Sequence, residues 1–198
     1  MKIETYVMGP IATNTYLLCE GDDVIVIDPA GKAEKVIEKI GERKLIAVLL
    51  THGHFDHIKA VDGLYDHYGC PVYIHPFDEA MARDKYSGAS FGISSYITCP
   101  MKHLKEGKMS VGPFLFEVIS TPGHTPGSVL FVFDDIIFTG DTLFKGSIGR
   151  TDLDGGDDRM MKSSLRVFHS FSHDYKICPG HDEATTLSAE LANNWYLR

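Results

Sequence analysis

No stretch of the chain approaches the ~18 consecutive apolar residues that cross a bilayer, so no membrane partner is expected. Met1 to Pro10 carries charges and lacks the apolar core of a secretion signal, which points to a cytoplasmic protein. Basic residues are in deficit. Lys and Arg number 19 against 27 Asp and Glu, a formal charge of −8, and broad binding to a nucleic-acid backbone is not expected. Cysteine is sparse: Cys19, Cys70, Cys99 and Cys178 form no C-x-x-C pair. A chain of 198 residues buries enough core to need no disulfide staples, so all four are expected as free thiols. Internal repeats and low-complexity linkers are also missing, and residues 1–198 read as one domain. The oligomeric state is not readable from these features.

What is present is an alternation of strand and helix signals. Val24 to Ile27, ending at Asp28-Pro29, and Leu45 to Leu50, ending at Thr51, are apolar runs that predict buried strands. Between them Ala33, Val36, Ile37 and Ile40 recur at helical spacing, with Gly41 as a stop. Ile58, Val61, Leu64, Tyr65 and Tyr68 predict a second helix closed by Gly69. Val72 to Ile74 reads as a short strand and Phe77 to Ala82 as a short helix. Residues 84–100 interleave Ser, Gly and Thr with Tyr and Phe and predict a loop at the mouth of a site. Phe114 to Ile119, Val129 to Phe133 and Ile136 to Phe138 predict strands, the last two joined by a tight turn at Asp134-Asp135. A helix from about Arg159 to Phe168, a strand from Lys176 to Cys178 and a helix from Glu183 to Asn193 complete the pattern. Two β-rich halves with helices outside them imply a layered α/β sandwich.

Histidine is the unusual residue, with ten copies, and placement matters more than number. Thr51-His52-Gly53-His54-Phe55-Asp56-His57 puts four potential metal ligands in six residues, directly after a core strand and before a helix. His52 and His54 are two apart, so an extended backbone sends both the same way. Asp56 and His57 fall at the helix start, where a carboxylate suits the helix dipole. His124 in Pro122-Gly123-His124, Asp141 in Thr139-Gly140-Asp141 and His181 in Pro179-Gly180-His181 each follow a predicted strand. The preceding glycine lets the backbone turn sharply. One histidine at a strand end is ordinarily a polar loop residue; this shared grammar points to convergence on a metal. His67, His75, His103, His169 and His173 have no such setting and read as surface or structural residues.

His52-x-His54-x-Asp56-His57, followed by His124, Asp141 and His181, resembles the signature of the metallo-β-lactamase superfamily, and the match covers nearly the whole chain. The resemblance implies an α/β fold, a four-layer αββα sandwich with a dinuclear site along one edge. Carried over by position, His52, His54 and His124 hold the first metal ion, Asp56, His57 and His181 the second, and Asp141 bridges them. Five imidazoles and two carboxylates suit two divalent ions, zinc foremost, with Fe(II) and Mn(II) also suited. Two ions sharing a water generate a hydroxide at neutral pH, which attacks a carbonyl, and a metal stabilises the resulting oxyanion. Asp56 then has a second role, orienting that water or accepting its proton. Asp28 reads either as a plain turn residue or as a support behind a ligand histidine.

Fold does not choose the reaction. No thiolate is among the second metal's ligands, which departs from several true β-lactamases. Gly140-Asp141-Thr142-Leu143-Phe144 and Gly146-Ser147-Ile148-Gly149-Arg150-Thr151-Asp152 are similar to glyoxalase II. The resemblance implies a hydrolase of thioesters, such as S-lactoylglutathione, with Arg150 pairing a substrate carboxylate. Arg150 reads equally as a structural partner of Asp152 or Asp154. Tyr86, Phe91 and Tyr96 either line a substrate pocket or pack their loop down. The chain ends 17 residues after His181, room for one helix and no helical C-terminal domain, which implies the short bacterial type. Two other classes stay open. A persulfide dioxygenase would use one iron on His52, His124 and Asp141, and a lactonase or phosphodiesterase would use both metals.

Overall fold

The computed structural model describes residues 1–198, Ser90 without its side chain. Two six-stranded sheets lie face to face. The first comprises β1 (Lys2–Met8), β2 (Thr13–Glu20), β3 (Asp23–Ile27), β4 (Lys44–Leu49), β5 (Val72–Ile74) and β6 (Met101–His103), in sequence order. The second comprises β7 (Gly107–Val111), β8 (Phe114–Ser120), β9 (Val129–Phe133), β10 (Ile136–Gly140), β13 (Lys176–Pro179) and β14 (Thr185–Thr186). Its order is β14-β13-β10-β9-β8-β7. A small hairpin, β11 (Leu143–Phe144) and β12 (Ser147–Ile148), stands apart. Helices α1 (Ala33–Ile40), α2 (Val61–Tyr68) and the short α3 (Glu79–Ala82) accompany the first sheet. Helices α4 (Asp158–Ser164) and α5 (Leu187–Asn193) accompany the second.

The period-two pattern of the strands divides the core into three layers. Along β3, Val24 and Val26 face α1 and α2, while Ile25 and Ile27 face the other sheet. Along β9 and β10, Phe131, Phe133 and Phe138 enter the inter-sheet layer, and Leu130 and Ile137 face α4 and α5. Strands buried on both faces read as continuous apolar runs, which is why these were visible in the sequence. The architecture is the four-layer αββα sandwich of the metallo-β-lactamase fold. All four cysteines are free and buried. Among the described residues no helix is long and apolar enough to cross a membrane.

Several element readings need correction. Strands β1 and β2 carried no apolar run long enough to stand out. Thr13, Asn14 and Thr15 open β2 and are buried at 0%, 3% and 0% exposure, a polar strand end that sequence patterning assigns to the surface. The last helix starts at Leu187 rather than Glu183, because Thr185 and Thr186 pair with β13 first and the Thr186 hydroxyl then caps the helix through Ala189 N–H. Helix α4 ends at Ser164 and continues as a 3₁₀ turn over Leu165–Ser170. The helix expected from Ile58 begins at Val61. The Asp134-Asp135 turn joins β9 to β10 as read, with Asp134 at φ 46°.

Candidate metal centre

All seven ligand candidates lie on loops at one edge of the sandwich, where strands end. The loop after β4 carries His52, His54, Asp56 and His57. The β8–β9 loop carries His124, the turn after β10 carries Asp141, and the turn after β13 carries His181. The glycines before the last two have visible causes. Gly140 sits at φ +47°, and a Cβ there would strike the Thr51 side chain. A Cβ on Gly180 would meet the Asp141 carboxylate and lie 2.7 Å from His57 Cε1, so the backbone passes directly beneath the site.

Three groups each offer three ligand atoms within 4.8 Å of one another: His52, His54 and His124; Asp56, His57 and His181; and Asp28, His52 and His57, the last made by the outward Nδ1 side of the rings rather than by the atoms that face the cleft. Asp141 lies between the first two. Its Oδ2 is 3.4 Å from His124 Nε2 and 3.5 Å from His181 Nε2, and its Oδ1 is 3.4 Å from His57 Nε2. Asp56 Oδ2 is 3.2 Å from His57 Nε2 and 3.3 Å from His181 Nε2.

The outward faces of the rings fix their tautomers. His124 Nδ1 donates to the Arg150 carbonyl at 2.7 Å, leaving a lone pair on Nε2. His57 Nδ1 donates to Asp28 Oδ2 at 2.9 Å, with the same result. The Thr51 hydroxyl donates to Asp28 Oδ2 at 2.6 Å and is left to accept from His52 Nδ1 at 3.0 Å. His54 instead turns Nδ1 inward, 2.8 Å from His124 Nε2. Among the described residues four buried side-chain polar atoms have no hydrogen-bond partner, and three are His52 Nε2, His57 Nε2 and Asp141 Oδ1. Buried atoms of this kind are costly unless a ligand satisfies them. Lone pairs and carboxylate oxygens facing one point therefore fit divalent cations.

The electrostatics agree. Burial, then the neighbouring His124, pushes His54 down to about 3. Burial and the surrounding imidazoles hold His52 well below the ordinary range. Burial opposes charge on Asp141, but His57, His124 and His181 together hold its carboxyl below the usual range. His52 and His54 are thus unprotonated imidazoles beside an ionised carboxylate at neutral pH, the state in which both are ligands. At the second group burial is outweighed by Asp56, Asp141 and Asp28 around His57 and by Asp56 and Asp141 around His181, which raise both rings, so these two release protons when a cation binds.

Supporting residues were only partly foreseen. Asp28 stands behind His57 and also accepts Thr51 N–H at 2.8 Å. Three residues opening β2 were missed. Thr13 donates to Asp56 Oδ2 at 2.8 Å, Asn14 donates to the Pro179 and Asp182 carbonyls at 3.0 and 2.9 Å, and Thr15 donates to the Asp28 carbonyl at 2.8 Å. Asp78 was also missed. It is fully buried and accepts from Gly53 N–H at 2.8 Å, the Thr125 hydroxyl at 2.7 Å and Gly127 N–H at 2.7 Å. One carboxylate thereby joins the loop carrying His52 and His54 to the loop carrying His124.

A cleft of about 410 Å³ opens over the ligands, walled by Ile11, Phe55, Phe91, Phe144, Ile148 and Leu153. Neither Tyr86 nor Tyr96 lines it. The 84–100 segment reaches the site through its 3₁₀ turn at Ala89–Phe91, which sets Phe91 against Phe55 with ring centroids 5.3 Å apart. Tyr86 lies 67% exposed beneath the Lys85 ammonium, and Tyr96 is 43% exposed. Arg150 does border the cleft, but its fork grips Asp152, with both contacts at 2.7 Å.

The model of the metallo-beta-lactamase superfamily matches residues 8–181. The probable metallo-hydrolase YqgX of Bacillus subtilis (strain 168) is 36% identical over 208 residues, covering 100% of this chain and 98% of that protein. The hydroxyacylglutathione hydrolase GloC of Haemophilus influenzae is 32% identical, covering 100% of this chain and 98% of that protein. The crystal structure of BLEG-1, a B3 metallo-beta-lactamase, superposes with a TM-score of 0.93 at 36% identity, covering 99% of each chain. The di-iron-bound form of TTHA1623 superposes with a TM-score of 0.91 at 34% identity, covering 98% of this chain and 100% of that one. By sequence, fold and site, the chain belongs to the metallo-beta-lactamase superfamily and is a metal-dependent hydrolase with a His/Asp metal site.

Proposed function

We propose that the chain is a dinuclear thioester hydrolase of the glyoxalase II kind, acting on thioesters such as S-lactoylglutathione. What carries the reading is a complete second group, Asp56, His57 and His181, joined through Asp141 to His52, His54 and His124. A one-iron dioxygenase on His52, His124 and Asp141 would leave that second group without work. The likeness to a hydroxyacylglutathione hydrolase supports the thioester class.

Bound divalent ions, zinc or iron among them, supply Lewis acidity that brings the pKa of water to about 7 and polarises a carbonyl. The chain's residues do the rest. Asp141 presents carboxylate oxygens to both groups of imidazoles, and Asp56 presents one to His57 and His181. Asp56 lines the cleft, and its Oδ2 is fixed by the Thr13 hydroxyl, so it is placed to orient the attacking water. The apolar walls exclude bulk water from the scissile bond. Water oxygen joins the acyl carbon, the C–S bond breaks, and the products are a carboxylate and a thiol. No serine or cysteine nucleophile is required, and the four thiols are buried.

The test is Asp141→Ala, assayed by hydrolysis of S-lactoylglutathione with and without oxygen and by metal content. Turnover is expected to vanish together with bound metal, and wild-type hydrolysis is expected to ignore oxygen. Full activity in the variant would refute the two-metal reading. The likeness to a B3 metallo-beta-lactamase makes a β-lactam amide the second substrate class for the same assay.

A further inference from the structure

Behind the β11–β12 hairpin lies a groove of about 670 Å³, a volume in the range of small-ligand sites. Lys162 and Arg166 line one side, four residues apart on α4 and the 3₁₀ turn that continues it. Arg198, Trp195 and Tyr196 also line it. Among the described residues, none of Lys162, Arg166 and Arg198 has an ion-pair side-chain partner. The acid lining the groove, Asp158, accepts the Thr151 hydroxyl. Trp195 is 74% exposed and Tyr196 is 52% exposed, in a chain with a charge of −8.

The metal cleft shows the opposite arrangement. Arg150 on its border is held by Asp152 at 2.7 Å, and Lys145, next to the lining residue Phe144, is held by Glu183 at 2.6 Å. An anionic substrate group meets carboxylate-paired cations at the cleft and, among the described residues, cations without a carboxylate partner in the groove. The two spaces adjoin. Ile148 lines both, and Asn194 donates to the Ser147 carbonyl at 3.1 Å, tying the Trp195 turn to the hairpin. A ligand laid across the exposed hairpin edge reaches from one to the other.

We propose that this groove binds a nucleoside phosphate carried on the thiol half of the substrate. The phosphate oxygens accept from Lys162 and Arg166, and the base stacks on the face of Trp195 opposite the Arg198 guanidinium, which lies 5.7 Å from the ring centroid. This rests on the thioester reading: the cleft holds the acyl group and sulfur, and the groove holds the phosphorylated end. Chemistry at the metal centre is unchanged, with C–S cleavage by water and no redox partner.

Trp195 is the sole tryptophan, so its fluorescence reports groove occupancy independently of activity. The metal-loaded protein is titrated with adenosine 3′,5′-bisphosphate, which carries no thiol. A saturable fluorescence change is expected, weakened about tenfold or more in Lys162→Ala/Arg166→Ala. In parallel, one acyl group is presented on coenzyme A and on N-acetylcysteamine. The nucleotide thioester is expected to have the higher kcat/KM, and the double variant to lose that preference through KM while hydrolysing the uncharged thioester as the wild type does. Absence of saturable quenching, or equal kcat/KM for the two thioesters, overturns the groove proposal and leaves the hydrolase intact. Saturable quenching with neither thioester cleaved supports the groove and overturns the thioester reading instead.

Discussion

Asp28 directs ligands from outside the ligand set. Its Oδ2 takes the His57 Nδ1 proton and the Thr51 hydroxyl, and Thr51 in turn takes the His52 Nδ1 proton, so two ring Nε2 atoms face inward because of one carboxylate. Asp28→Asn is predicted to lower metal affinity about 10–100-fold with the fold retained, measured by competition against a chromogenic chelator. Wild-type affinity in the variant would mean that the rings are oriented by packing alone. At this scale the sequence was legible where chemistry and backbone coincide. A glycine beside His124, Asp141 and His181 at a strand end is a local signal. Thr13, Asn14, Thr15 and Asp78 carry none, because their value comes from partners 13 to 168 residues away, in loops that only folding brings together. A threonine opening a strand looks the same whether it faces water or a ligand carboxylate.

Elements fix the site by pinning loops to each other. Asp78, just before α3, holds the histidine loop to the β8–β9 loop through three donors. Asp78→Asn turns an amide NH₂ toward at least one of them and is predicted to cost about 1–3 kcal/mol, read as a lower denaturant midpoint, with weaker metal binding alongside. An unchanged midpoint would show the tie to be dispensable. Strand β1 is pinned by charge. Glu4 meets the exposed Lys2 and the Arg43 guanidinium, which with Tyr6 outweigh its partial burial and hold its carboxyl down at about 2. A depressed carboxyl pKa stabilises the fold above the ordinary value of about 4.3 and loses that stability as pH falls toward 2. The melting-temperature gap between wild type and Glu4→Gln is therefore predicted to close between about pH 4.5 and pH 2. A gap that is constant over that range would remove the ion pairs from the account. The core strands and helices were legible from their periodicity. The 84–100 segment was legible as a loop with Tyr86, Phe91 and Tyr96 as candidates, but which of the three reaches the site was not, because its 3₁₀ turn decides that Phe91 meets Phe55.

For the molecule as a whole, the site is built from both sheets. His52, His54, Asp56 and His57 follow β4 in the first, and His124, Asp141 and His181 follow β8, β10 and β13 in the second. Metal bound across them favours the folded state, so chelation is predicted to lower the melting temperature and metal addition to restore it. A melting temperature indifferent to chelator would separate the metal from the fold. Phe131 in the inter-sheet layer supports both halves, and Phe131→Ala is predicted to cost about 3–5 kcal/mol by chemical denaturation. The layered architecture was legible from the order of strand and helix signals. The clasp of the two halves was visible only through the ligands they share.

The most direct test of the dinuclear hydrolase is metal content per chain on anaerobically purified protein, measured beside thioester turnover in the same sample. About two ions per chain, with hydrolysis that persists without oxygen, is the predicted result. About one iron per chain, no hydrolysis and oxygen uptake with a persulfide would contradict it.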